Sequence, residues 1–129
     1  MACEKILIVE DEAITASDLQ WHLGRLGYEN SAIAASGDEA VRIADEMSPD
    51  LVLMDVRLSG TMDGVEASRR IQEKRPIPIL YLTAYPDVFL KSPAEMGKPN
   101  MCITKPFSSP VLQRSIEIAL KGCNSHHQS

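Results

Sequence analysis

Five residues that could take part in chemistry follow four short apolar runs in this sequence of 129 residues. Carboxylates follow two of the runs, at Glu10, Asp11 and Asp55. A hydroxyl follows a third run at Thr83, and an ammonium group follows a fourth at Lys105. Carboxylates that lie close together repel one another unless a cation balances their charge. Magnesium is the favoured cation, with manganese as an alternative, because it takes one or two carboxylates and shares a phosphate oxygen.

The same residues predict phosphoryl transfer. A carboxylate beside a bound metal ion can attack phosphorus, so Asp55 is the candidate nucleophile and would become an aspartyl phosphate. Lys105 is suited to act as a point charge on the phosphoryl group, and Thr83 can donate a hydrogen bond to it. The alternative is that acids at strand ends are solvated loop residues or helix caps. That interpretation serves for any one acid alone, but not for all five residues, three acids with a threonine and a lysine, at the ends of the predicted strands.

These residues can act together only if the strands that precede them are neighbours in one sheet. Apolar runs alternate with segments of helical spacing, which is the βαβα pattern of a parallel sheet covered on both faces. In such a sheet, ligands bind at the carboxyl ends of the strands. The predicted strands are residues 5–9, 31–35, 51–54, 77–82 and 101–104.

Four segments between and after the strands have the spacing and end signals of amphipathic helices. The predicted start signals are Ser36 or Asp38, Asp63, and Ser108 or Ser109, and the stop signals are Gly27, Pro49 and Gly122. Prolines crowd the interval between Thr83 and Lys105, so a further helix there is predicted to be short or broken. Residues 1–122 are expected to form one domain, and the polar residues 123–129 a disordered tail.

Composition excludes several classes of protein. Thirteen Lys and Arg residues stand against 18 Asp and Glu residues, a net charge of −5, which disfavours direct binding to nucleic acid. No apolar run approaches the ~20 residues of a membrane helix, and no secretory signal is recognisable. The cysteines are three and widely spaced, which disfavours a disulfide framework or a zinc site. A cytoplasmic location is the expectation from these features.

The sequence resembles the receiver domains of two-component response regulators, in particular single-domain regulators of the chemotaxis type. The matching stretches are residues 6–12 (ILIVEDE), 50–55 (DLVLMD), 62–64 (MDG), 82–84 (LTA) and 104–107 (TKPF). The resemblance implies an α/β fold, a five-stranded parallel sheet of order 2-1-3-4-5 with helices on both faces, as in flavodoxin.

By this resemblance, Asp55 accepts a phosphoryl group from a phosphohistidine on a histidine kinase or a histidine phosphotransfer protein. Glu10 and Asp11 match the acidic pair that holds magnesium, and Asp55 and the backbone carbonyl of Arg57 would complete the protein ligands. The protein would catalyse only its own phosphorylation and dephosphorylation.

Further residues match the part of the family site that contacts the phosphoryl group. Thr83 and Lys105 match the side chains that do so, and Arg57 and Ala84 match the backbone groups. The peptide bond between Lys105 and Pro106 matches one that is usually cis in the family.

The sequence departs from the family pattern at the switch that responds to phosphorylation. Cys102 stands where the family usually has an aromatic residue that swings inward when the threonine, here Thr83, moves. The loop after Asp55 also is one residue longer than usual. We hypothesise that Arg57 and Tyr85 flank the path of the hydrolytic water and set the lifetime of the phosphorylated state.

Two alternatives remain open on the sequence, besides a flavin-binding module, which would need a phosphate loop after the first strand. One is a phosphatase like the haloacid dehalogenases, which also use an aspartyl nucleophile but favour Asp-x-Asp near the first strand. The other is a receiver module cut from a hybrid sensor kinase. Because a receiver fills residues 5–121, we expect any output to pass through contact with another, unknown protein.

Overall fold

The structure is a computed structural model that describes residues 4–56, 58, 62–83, 100–104 and 107–128. For residues 100, 101 and 121–128 only the backbone is described. The helix predicted between Thr83 and Lys105 falls on residues outside these ranges.

Five strands form one parallel sheet in the order β2-β1-β3-β4-β5. The strands are β1 (Lys5–Val9), β2 (Asn30–Ala34), β3 (Leu51–Asp55), β4 (Ile79–Thr83) and β5 (Asn100–Thr104). The predicted fold and strand order are therefore confirmed. The start of β4 is later than predicted because Pro78 has no N–H for the strand ladder, and only its carbonyl pairs, with Val52 N–H at 3.1 Å.

Helices cover both faces of the sheet. They are α1 (Ala13–Arg25), α2 (Gly37–Met47), α3 (Gly64–Lys74) and a C-terminal helix (Ser109–Gln128). Side chains of α2 and α3 pack on one face of the sheet, and those of α1 and the C-terminal helix pack on the other. Central strands with apolar residues on both sides are thereby buried throughout, as in β3 and β4.

Most of the predicted helix ends agree with the structure. Ser36 caps α2 and Asp63 caps α3, since their side chains accept hydrogen bonds from Glu39 N–H at 3.1 Å and Glu66 N–H at 2.9 Å. At the C-terminal helix, Ser108 and not Ser109 makes the cap, accepting from Val111 N–H at 3.4 Å. The C-terminal ends of α1 and α2 also agree with the predicted stop signals. Gly27 follows α1 with φ of 98°, and Ser48 ends α2 in the left-handed conformation, just before Pro49.

The end of the last helix differs from the prediction. The helix continues through Gly122 to Gln128, so the backbone of residues 123–128 is helical where a disordered tail was expected. Glycine inside a helix costs only about 1 kcal/mol relative to alanine, and it ends a helix only where it turns left-handed. No proline follows Gly122 to enforce the stop.

None of the helices within the described residues is long and apolar enough to cross a membrane.

Candidate functional site

Three carboxylates meet at the carboxyl edge of the sheet. One oxygen from each of Glu10, Asp11 and Asp55 lies within 4.8 Å of the other two. Glu10 is 2% exposed and Asp55 is 7% exposed, whereas Asp11 is half-buried. The structure thus brings together the three acids that the sequence singled out, and this set of oxygen donors fits a hard divalent cation.

The pairing of neighbouring strands explains this meeting. β1 and β3 run side by side with Val9 opposite Met54, so that Glu10 and Asp55 both come next along the chain. The ladder continues past the strand ends, because Glu10 N–H donates to the Ala34 carbonyl at 3.0 Å. The backbone around the acids is therefore held by the sheet itself.

Thr83 lies at the same edge as the acids. It is the last residue of β4, it is buried, and the adjacent β3 places Asp55 opposite the preceding residue, Leu82. On its other side Thr83 is opposite Thr104 at the end of β5. Lys105 comes directly after Thr104 in the chain.

The remaining predicted site residues lie outside the described part of the chain. They are Arg57, Ala84, Tyr85, Lys105 and Pro106. Their roles, and the cis peptide bond between Lys105 and Pro106, stay predictions.

One backbone hydrogen bond orients the most buried of the acids. Glu12 N–H donates to Glu10 Oε2 at 3.3 Å. The Glu12 carboxylate itself points away toward Thr15, whose hydroxyl donates to Glu12 Oε1 at 3.1 Å. Glu12 therefore contacts the acid cluster through its backbone N–H, while its carboxylate is paired with Thr15.

Gly64 is a site residue that the sequence analysis named only within the matching stretch 62–64 and beside the helix start at Asp63, without assigning it a role. A Cβ atom at this position would lie 2.3 Å from the backbone carbonyl oxygen of Asp55. Gly64 N–H also donates to the Val56 carbonyl at 3.1 Å. The first turn of α3 is thus seated directly on the end of β3, an approach that only glycine allows. A glycine in a first helical turn, directly after an N-cap, was the available signal.

Cys102 places a small side chain, where receiver domains usually have an aromatic one, in the layer that faces α2 and α3. It is half-buried, lies opposite Tyr81 in the strand register, and packs with Tyr81 against the apolar layer. Burial raises the pKa of the Cys102 thiol. The side chain therefore behaves as a neutral packing group at neutral pH.

Comparison with known proteins decides the family. The sequence profile of the response regulator receiver domain matches residues 6–117. The chain belongs to this family. Proteins of this family serve in two-component systems.

Individual relatives agree with this assignment. The chain is 40% identical over 116 residues to the transcriptional regulatory protein PdtaR of Mycobacterium tuberculosis, covering 90% of this chain and 56% of PdtaR. It is 36% identical over 121 residues to the phyllosphere-induced regulator PhyR of Methylorubrum extorquens, covering 93% of this chain and 44% of PhyR. This receiver therefore spans about half the length of these curated relatives.

One solved receiver with a similar fold contains a metal ion. The receiver domain of a sensor histidine kinase from Pseudomonas aeruginosa PAO1 has a magnesium ion coordinated in its active-site cleft. It superposes with a TM-score of 0.78 and 32% identity, covering 93% of this chain and 99% of that domain.

Proposed function

We propose that this receiver is the phosphoacceptor of a two-component or phosphorelay system, with Asp55 as the acceptor and a phosphohistidine as the donor. The observation that carries the proposal is the convergence of Glu10, Asp11 and Asp55 within 4.8 Å, beside Thr83 at the end of the next strand. If the acids were solvated loop residues or helix caps, their side chains would be exposed, whereas two of the three are buried.

The chemistry follows from this arrangement. A carboxylate oxygen of Asp55 forms a bond to phosphorus while the bond from phosphorus to the donor imidazole nitrogen breaks, and that nitrogen keeps the electron pair. Water then attacks the phosphorus of the aspartyl phosphate, which restores the carboxylate and releases inorganic phosphate. The protein is regenerated and no external substrate is turned over.

The other residues bind and orient the transferred group. Glu10, Asp11 and Asp55 would hold the metal together with the Arg57 carbonyl. Bound magnesium, or manganese, would supply positive charge beside the phosphoryl oxygens. Thr83 donates a hydrogen bond to one of these oxygens and Lys105 places its ammonium group on another, with the backbone of Arg57 and Ala84 in support.

Partners follow from the same chemistry. The donor is a histidine kinase or a histidine phosphotransfer protein, and the output is a contact with a second protein. The contacted partner is either that separate protein or a further domain of the same chain, as the larger size of the curated relatives allows.

A mass measurement with a small phosphodonor tests the proposal. Incubation with acetyl phosphate and magnesium is expected to add one phosphoryl group to the wild-type protein and none to Asp55→Asn. Asp45→Asn is the matched control, because Asp45 is an exposed aspartate that pairs with Lys74 at 3.6 Å. This control is expected to gain the group as the wild type does. An absent gain in the wild type, or an equal gain in Asp55→Asn, contradicts the proposal.

The lifetime of the aspartyl phosphate is expected to depend on Arg57 and Tyr85. Both stand two residues beyond a predicted site residue, Asp55 and Thr83, where they can limit the approach of water. Acyl-phosphate decay is measured after removal of the donor, in Arg57→Ala and in Tyr85→Ala. Faster or slower decay in either variant supports the hypothesis, and unchanged rates in both refute it.

A further inference from the structure

The first residue of α2 is in close contact with the connection between β3 and α3. Gly37 is buried, and a Cβ atom there would lie 3.0 Å from Cβ, Cγ and the carbonyl oxygen of Met62. Met62 is itself 8% exposed. Two of these three atoms belong to the backbone or to the root of the side chain, so rotation of the Met62 thioether cannot relieve the contact.

Met62 lies two residues before the glycine that is seated on the acceptor. Gly64 is against the Asp55 carbonyl, at a distance that admits no Cβ atom. The stretch from Met62 to Gly64 is thus held between α2 on one side and Asp55 on the other. A displacement of Met62 by a few tenths of an ångström has little room to be absorbed before it reaches the acceptor.

The start of α2 also connects to the other acidic strand end. Ala35 N–H donates to Glu39 Oε1 at 2.7 Å, while the carbonyl of the preceding Ala34 accepts from Glu10 N–H at 3.0 Å. One helical turn therefore contacts the chain segments that carry two of the clustered acids, although α2 itself contributes no residue to the cluster.

We propose that Gly37 is a positioning residue for the acid cluster, and that the first turn of α2 is coupled to cation binding and phosphorylation. The coupling runs through Met62 and Gly64 to Asp55, and through Ala35 and Ala34 to Glu10. Because coupling between two sites is reciprocal, occupation of the acid cluster shifts the first turn of α2 in return. The phosphorylation part of this inference rests on the proposed function, whereas the cation part needs only the acid cluster.

Substitution of Gly37 tests the coupling. In Gly37→Ala and Gly37→Val, the dissociation constant for magnesium, measured by calorimetry, is expected to rise by at least about twofold. The rate of phosphorylation by acetyl phosphate is expected to change by a similar factor. The matched controls are Gly24→Ala and Gly24→Val in α1, where an added Cβ meets nothing within 4 Å. These controls are expected to leave both quantities unchanged.

A second variant approaches the contact from its other side. Met62→Ala removes Cγ, and in combination with Gly37→Ala it is expected to restore part of the lost magnesium affinity. The free energy of unfolding of each variant, from urea titration, separates this effect from a loss of fold, because a merely structural role would lower stability without changing the affinity of the folded protein.

The reciprocal effect is read from the backbone amides. Addition of magnesium to the wild type is expected to shift the NMR signals of Asp38 and Glu39 in α2, and Gly37→Val is expected to reduce that shift. Unchanged magnesium affinity in both Gly37 variants overturns the inference. Absence of phosphorylation in the wild type overturns the proposed function instead, and the magnesium arm then still decides the coupling.

Discussion

Two of the three clustered acids, Glu10 and Asp55, are held by different local contacts. Glu10 is fixed by two backbone hydrogen bonds, one from its own N–H to Ala34 and one from Glu12 N–H to its carboxylate. Asp55 is fixed through its carbonyl, against which Gly64 is seated. Burial of two like charges so close together is costly, and a divalent cation bound between them would offset their repulsion.

Cys102 is expected to be a slow nucleophile. Burial raises its pKa, so the thiol stays neutral over a pH range in which a free thiol has begun to ionise. Alkylation by iodoacetamide at pH 8, followed by mass spectrometry of the peptide that contains Cys102, is expected to be slower than for free cysteine. The difference is expected to vanish in urea.

The raised pKa of Cys102 also determines how this residue changes the free energy of unfolding with pH. A pKa that is higher in the folded state than in the unfolded state favours folding below the unfolded value, and this contribution is lost as pH rises through the folded value. Alkylation at the rate of free cysteine at pH 8 in the folded protein would contradict the assignment of Cys102 as a half-buried neutral group.

At the scale of elements, the caps decide where the helices meet the edge of the sheet. α2 and α3 both begin at this edge with a side-chain cap, at Ser36 and Asp63. Asp63 precedes Gly64, so the capping of α3 and its seat on β3 are consecutive along the chain. Glu66, the third residue of α3, bonds to Arg70 and to Arg69. The hydrogen bond to Arg70 lowers the pKa of Glu66 most, and the one to Arg69 lowers it further. The cap of α3 is the Asp63 carboxylate, which accepts from Glu66 N–H, while the Glu66 carboxylate pairs with the two arginines.

Removal of the α2 cap is expected to destabilise the protein. Ser36→Ala leaves Glu39 N–H without its acceptor, a loss of about 1 kcal/mol in the free energy of unfolding. Ser108→Ala is the comparison, because its hydrogen bond to Val111 N–H is longer, at 3.4 Å, and its loss is expected to cost less. Urea denaturation measures both. Equal stability of Ser36→Ala and the wild type would show that the cap contributes nothing.

At the scale of the whole molecule, the site exists only when the sheet is formed. The clustered acids come from chain segments about 45 residues apart in sequence, and they meet only because β1 and β3 pair. A ligand that binds the folded state alone stabilises it by about 2.7 kcal/mol at a concentration one hundred times its dissociation constant. Magnesium is therefore expected to stabilise the entire domain and not one loop.

Thermal unfolding with and without magnesium tests this linkage. The melting temperature is expected to rise with magnesium and to fall back when the metal is chelated, while potassium chloride at the same ionic strength controls for screening. In Asp11→Asn the rise is expected to shrink, although the metal-free variant is expected to be at least as stable as the wild type because one repulsive charge is gone. A melting temperature that does not respond to magnesium contradicts a metal site.

Local sequence patterns predicted the parallel sheet and the three acids at one edge, and the resemblance to receiver domains implied the strand order. Apolar runs, helical spacing and the residues after each strand are local properties, and the pairing of parallel strands then brings the strand ends together. The departure at Cys102 was also visible, although its burial beside Tyr81 was not.

Only the tertiary structure decided which residues without chemical groups shape the site. Gly64 and Gly37 matter because of what a Cβ atom would contact across the fold, and Met62 because it lies between α2 and the connection to α3. The continuation of the last helix past Gly122 was likewise not apparent, since glycine permits both a helix and its end. Local patterns predict which elements form. Differences of a few tenths of an ångström in the distances between those elements depend on how the whole chain packs.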